Sequence, residues 1–337
     1  MPVEHAPPPE RYQGPGMVDL QVNGYAGFDF NSLAETWTPE DFHKVRRAMQ
    51  RRGVAAALPT FITDDVECIL DRARKYADLI EDDAVLAKAF PKLHIEGPFI
   101  SPETGPRGAH PLAHCVEPKD YPGFLDALRE ASGGRIGILT LAPETEGALD
   151  LIARASAQGI CAAIGHTMAD KATLAAAVDA GAKLSTHLGN GTHALLPKFD
   201  NYIQHQLAED RLAASFIADG HHVPWANLRT FMRAKTLENA ILVTDAITGA
   251  DAPPGVYTLG PVQIEVFPDL RTGMPGHAGL AGSALTLDRA VLNATRHCGV
   301  PFPQAWSMAS VRPAALVGLP PYPVVEVQVE ADGFTAR

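Results

Sequence analysis

Eight short apolar runs recur along the chain, at 17–22 (MVDLQV), 54–58 (VAAAL), 92–96 (KLHIE), 136–141 (IGILTL), 160–165 (ICAAIG), 183–187 (KLSTH), 213–218 (AASFIA) and 240–245 (AILVTD). They carry little polar alternation, as parallel strands buried on both faces do. Helical patterns lie between them. Thr38-Pro39-Glu40-Asp41 predicts a helix start, with a hydroxyl N-cap, proline at the first position and an acid three residues on. That helix runs to about Arg52, and Gly53 stops it; the same glycine stop recurs at Gly159, Gly181 and Gly299. Helix, glycine and strand make the turn of a βαβ unit, and eight such strands in one chain predict an α/β fold, a (β/α)8 barrel. An open sheet fits less well, because the reactive candidates end several strands rather than gather at one switch point.

Two regions break this rhythm. VYTLGPVQIEVF reads as a hairpin and precedes the glycine-rich GHAGLAGS, so 255–283 reads as an insertion after the eighth strand. Residues 1–16 hold five prolines and read as an extended lead, and 324–330 (VVEVQVE) alternates like an edge strand. The predicted layout is a Pro-rich extension at 1–16, a barrel over 17–318 and a strand with tail over 319–337. The hairpin and the C-terminal strand read as the remnant of a small accessory β-domain.

Composition narrows the class. With 337 residues, 46% hydrophobic and 20% charged, the chain suits one large-cored globular barrel. Its 39 acids against 28 bases give a net charge of −11, and no basic run exceeds Arg46-Arg47 or Arg51-Arg52. Nucleic acid and anionic membrane need a basic face, so neither is an expected partner. The four cysteines form no CxxC pair, no apolar leader opens the chain and no apolar run is long enough to span a bilayer. The cytoplasm is the expected compartment.

The chemistry sits where runs end. Glu96, His166 and His187 close three of them, and two imidazoles with one carboxylate make a ligand set that leaves a position open. Any one of these histidines alone reads more often as a hydrogen-bonded structural residue; the set reads as a metal site. Asp245 closes a fourth run and suits a proton carrier that takes a proton from water and returns it to a leaving nitrogen. Its other reading is a helix N-cap. Asp19 and Gln21 share a strand face. Glutamine is a feeble ligand for zinc-like cations, so one divalent ion per chain is expected, with Gln21 bonding water or substrate. Zinc leads; iron, cobalt or manganese would also suit two histidines and a glutamate. His110, in RGAHP, could polarise a carbonyl. Asn190 and Gly191, in LGNGTH, could offer amide groups to substrate, and His221 and His222 follow the seventh strand. His94 shares a face with Glu96 and reads as a supporting group. His5, His43, His114, His205, His277 and His297 read as surface or loop positions.

In order, MVDLQVNGYAG, LPTFIT, LHIEGPFI, GAHP, LAPE, GHT, THLGN, IADGHHV, LVTDA and LAGSALTL resemble the N-acetylglucosamine-6-phosphate deacetylases of the amidohydrolase superfamily, over about residues 16–318. The resemblance implies that Glu96, His166 and His187 are metal ligands and Asp245 the general base and acid. It implies that His110 helps polarise the acetyl carbonyl and His222 contacts the sugar phosphate. Ser283, in LAGSALTL, is placed with the substrate-binding groups. A homodimer is implied, with part of the phosphate site lent by the neighbouring subunit. So is hydrolysis of a small amino-sugar acetamide to amino-sugar phosphate and acetate.

The chain departs from the family pattern after His187. Gly189-Asn190-Gly191-Thr192-His193 replaces the usual aromatic-Asn-Ala-Met, and LPKFDNYIQHQ replaces an Arg-Glu-Pro-Gly segment whose arginine grips phosphate. Lys198 is the nearest basic residue and cannot form a bidentate fork. Two other readings stand beside the leading one. The first is an amidohydrolase taking an unphosphorylated or different N-acyl substrate. The second is a non-catalytic barrel, against which the presence of Asp245 argues.

Overall fold

The computed structural model describes residues 7–260, 262–275 and 279–337. His5 and His277, read above as surface or loop positions, lie outside them. The lead strand β1 (Arg11–Pro15) is followed by β2 (Met17–Val22) and a small antiparallel pair, β3 (Gly24–Tyr25) and β4 (Phe28–Asp29). Then come β5 (Val54–Ile62), β6 (Leu93–Glu96), β7 (Ile136–Leu141), β8 (Cys161–Ile164), β9 (Leu184–Ser185), β10 (Ala213–Ile217) and β11 (Ala240–Val243). With β2, these seven form one eight-stranded parallel sheet in the order β2-β5-β6-β7-β8-β9-β10-β11. All eight predicted runs are therefore strands. The sheet curls nearly shut, and its two end strands meet through a parallel bridge between Val22 and Ala246. At that seam Asp19 accepts from the Thr244 hydroxyl at 2.7 Å and the Thr244 amide at 3.2 Å.

Helices cover the outside. The first, α1 (Pro39–Arg51), starts as its sequence dictates: Thr38 accepts from the Asp41 amide at 3.3 Å, and Asp41 returns the bond to the Thr38 amide at 2.9 Å. Gly53, just past its end, has φ +81°, a backbone that side chains with a Cβ seldom adopt. Phe42, Val45, Ala48 and Met49 of α1 pack inward, an i, i+3, i+4 stripe.

Three differences from the sequence reading concern the edges. Arg11–Pro15 is not merely an extended lead; it pairs antiparallel with β15 (Val324–Val329). That C-terminal strand is central rather than an edge, because β16 (Phe334–Ala336) covers its other side. The hairpin β12 (Gly255–Leu259) and β13 (Val262–Val266) forms a separate sheet with β14 (Thr272–Gly273), so hairpin and C-terminal strand do not share one β-layer. Alternation along 324–330 shows one covered face; it cannot count how many strands flank it.

Candidate active site

The C-terminal ends of the barrel strands surround a cleft of about 890 Å³, counted out to its mouth. Glu96, His110, His166, His187, Asn190, Gly191 and Asp245 all line it. His166, His187 and Asp245 hold left-handed backbone, at φ 50°, 32° and 52°. Such conformations cost non-glycine residues roughly 1–3 kcal/mol each and gather at functional sites. Here each turns a side chain from the strand end toward the barrel axis. Gly191 must be glycine, since a Cβ there would lie 2.8 Å from His166 Nδ1.

The imidazoles converge on one carboxylate oxygen. His187 Nε2 lies 2.7 Å, and His166 Nε2 3.2 Å, from Glu96 Oε1. His110 Nε2 stands 3.2 Å from His166 Nε2. Donor atoms of Glu96, His110 and His166 all lie within 4.8 Å of one another. His110 is thus within ligand reach itself, besides the carbonyl-polarising place its sequence suggests. His166 Nδ1 faces the Pro106 carbonyl at 2.8 Å, an acceptor only, so Nδ1 carries the proton. In the neutral ring Nε2 then presents a lone pair toward a carboxylate oxygen. Two acceptors so placed need a cation or an added proton between them, and the donor set fits a divalent ion.

Charge follows from burial and neighbours. Burial pushes the Glu96 carboxyl up, but its bonds to His166 and His187 outweigh this and hold it well below the usual range. Burial lowers His187, but the Glu96 bond outweighs it and leaves the imidazole raised. His110 is driven down to about 3 by burial, then by the neighbouring His166, and so stays neutral. Asp245 is pushed up to about 6 by burial first and by the Glu96 charge second.

Asp245 is held on one side. Its Oδ1 accepts from Asn23 Nδ2 at 2.7 Å and from Gln21 Nε2 at 3.1 Å. Gln21 Nε2 also reaches Glu96 Oε1 at 3.0 Å. Gln21 Nε2 therefore bridges the two carboxylates, and its buried Oε1 has no partner. Asn23 went unread in the sequence, though Asp19, Gln21 and Asn23 follow a two-residue period that could have found it.

Other expected contacts fall outside the cleft. The Ser283 hydroxyl donates to the Thr244 carbonyl at 2.5 Å, and its amide to the Asp245 carbonyl at 2.9 Å. It braces the end of β11 rather than meeting substrate. His222 Nδ1 pairs with Asp219 at 2.6 Å, and its buried Nε2 has no partner. Lys198 is exposed, with its ammonium 5.1 Å over the Phe199 ring. Among the described residues no lysine or arginine lines the cleft. His114, read as a loop histidine, does line it, beside Asp64 and Thr63. His94 supports from below: it bonds the Leu20 carbonyl at 2.9 Å and Thr140 at 2.8 Å, and burial lowers it to about 4.

No family model matches the chain. Curated relatives do. It is 35% identical to bovine (Bos taurus) N-acetylglucosamine-6-phosphate deacetylase over 317 residues, covering 90% of this chain and 74% of the relative. It is 33% identical over 308 residues to N-acetylgalactosamine-6-phosphate deacetylase of Escherichia coli O157:H7, covering 90% and 78%. Among solved structures, an Asp-to-Ala mutant of N-acetyl-D-glucosamine-6-phosphate deacetylase from Mycobacterium smegmatis, in complex with N-acetyl-D-glucosamine-6-phosphate, superposes with TM-score 0.84. The two are 27% identical, and 98% of this chain and 90% of that one are covered. With the barrel, the strand-end cluster and these relatives together, the chain belongs to the N-acetylglucosamine-6-phosphate deacetylase family, amide hydrolases of the amidohydrolase superfamily.

Proposed function

We propose that this chain hydrolyses the acetamide of an N-acetylhexosamine 6-phosphate, releasing acetate and the amino-sugar phosphate. The observation that carries this is one buried cleft holding both a two-histidine, one-glutamate cluster and a separate carboxylate, Asp245. Glu96, His166 and His187 would hold one divalent ion, zinc by preference for this donor set. Such an ion supplies Lewis acidity, polarising the carbonyl and acidifying a water at the cluster. With Oδ1 engaged by Gln21 and Asn23, Asp245 uses Oδ2 to take the water's proton and hand it to the departing nitrogen. His110 stands where its ring can face the carbonyl oxygen.

Which hexosamine is bound does not follow from identity, since glucosamine and galactosamine enzymes match at similar levels. A phosphate would meet no cation of this chain's own described cleft, so we assign Lys198 to a partner's cleft in a homodimer. Leu195 and Phe199, beside Lys198, are 91% and 74% exposed, an apolar loop suited to a subunit contact.

The test is a deacetylation panel of the 6-phosphates of N-acetylglucosamine and N-acetylgalactosamine with both free sugars. Turnover of a 6-phosphate well above its free sugar supports the reading; indifference to phosphate favours an unphosphorylated substrate. In the same panel Lys198→Ala should raise KM for the phosphorylated sugar about tenfold and leave the free sugar's KM unchanged.

A further inference from the structure

The cleft has two unlike sides. On one, Asn190 and Gly191 follow His187. Across the barrel from β9, at the end of β5, Ile62 packs with Leu259, Val262 and Ile264 of the β12–β13 hairpin in one aliphatic cluster, and Leu280, from the segment before Ser283, also lines the cleft. This aliphatic side adjoins the reacting groups. Ile62 sits opposite Glu96 in the parallel register of β5 and β6. The chain beyond Leu280 reaches Ser283, whose amide bonds the Asp245 carbonyl at 2.9 Å. Ile62, Val262 and Leu280 remain partly exposed, and all three line the cleft.

Two polar side chains that flank the aliphatic cluster are already engaged. Asn31 Nδ2 donates to the Thr60 carbonyl at 3.0 Å and Asn31 Oδ1 accepts from the Ile62 amide at 2.9 Å, while Asp64 accepts from Arg72 at 2.7 Å. A sugar hydroxyl laid against the aliphatic side chains themselves would give up water's hydrogen bonds and gain none. An alkyl chain would give up nothing polar. The sugar therefore belongs on the Asn190–Gly191 side and the acyl group on the aliphatic side.

We infer that this wall is an acyl-chain subsite, and that the enzyme hydrolyses N-acyl amino sugars whose acyl group is longer than acetyl, propionyl and butyryl included. The inference rests on the proposed function, which places the amide carbonyl at the Glu96–His166–His187 cluster. The chemistry is unchanged: water adds to the carbonyl carbon, the C–N bond breaks, the amine takes a proton and the fatty acid leaves as its carboxylate.

The test compares kcat/KM for glucosamine 6-phosphate carrying N-acetyl, N-propionyl and N-butyryl groups. The expected gain is about fourfold per methylene, the equivalent of ~0.8 kcal/mol per buried CH₂, and mostly in KM. Val262→Trp and, from a different segment, Leu280→Trp should each lower the butyryl-to-acetyl ratio at least tenfold. Acetyl turnover with a tenfold or greater fall at propionyl overturns this inference alone. A ratio unmoved by both tryptophans overturns it too. No turnover of any of the three overturns it together with the function it rests on.

Discussion

Asp245 shows how one residue's chemistry is set by its surroundings. Burial first, and the Glu96 charge second, raise its carboxyl to about 6. A general base acts only when deprotonated, so kcat/KM should fall as pH drops through about 6 and level off above it. Asp245→Asn keeps the shape but cannot accept a proton. It should retain metal and lose about a thousandfold or more in kcat, read by single-turnover kinetics with metal analysis of the same sample. Glu96, His166, His187 and Asp245 were legible because each ends an apolar run. Asn23 was not read, because an asparagine in a strand has no meaning until a carboxylate from a strand 222 residues away lands 2.7 Å from it.

Elements carry function by where they stop. The left-handed turns at His166, His187 and Asp245 each sit two residues past their strands, and they aim side chains that straight strands would not. Gly191→Ala would set a Cβ 2.8 Å from His166 Nδ1 and strain a φ of +57°. It should weaken metal affinity at least tenfold, measured by competition with a chelator, while the melting temperature moves little. At α1, the capping box was readable from Thr38 to Asp41. Thr38→Ala should cost about 1 kcal/mol in urea unfolding with turnover unchanged. The hairpin was also legible as a hairpin. That β12–β13 forms one wall of the cleft was not, since strand pattern gives pairing but no direction of packing.

Across the whole molecule, the ligand cluster ties together β6, β8 and β9. An ion that binds only the folded chain stabilises it by mass action, about 2.7 kcal/mol at a hundredfold excess over Kd. Chelation should therefore abolish turnover and lower the melting temperature. Re-addition should restore both at close to one ion per chain; two ions would remove the one-metal reading of Gln21. The same scale decides the oligomer. Phe199→Asp should move a homodimer toward monomer in light scattering and raise KM for a phosphorylated sugar in step.

The sequence by itself determined the barrel strands, the bounds of α1, the glycine helix stops and the four strand-end candidates, because burial period, capping and glycine stops are local properties of consecutive residues. Tertiary structure alone decided who stands beside whom. It set Gln21 between Glu96 and Asp245, Ser283 against the end of β11 and His114 in the cleft, and it left Lys198 on the surface. It also packed Ile62 with Val262 and brought both, with Leu280, into the cleft lining. Those placements depend on side chains meeting across a nearly closed sheet, and no local pattern encodes that distance.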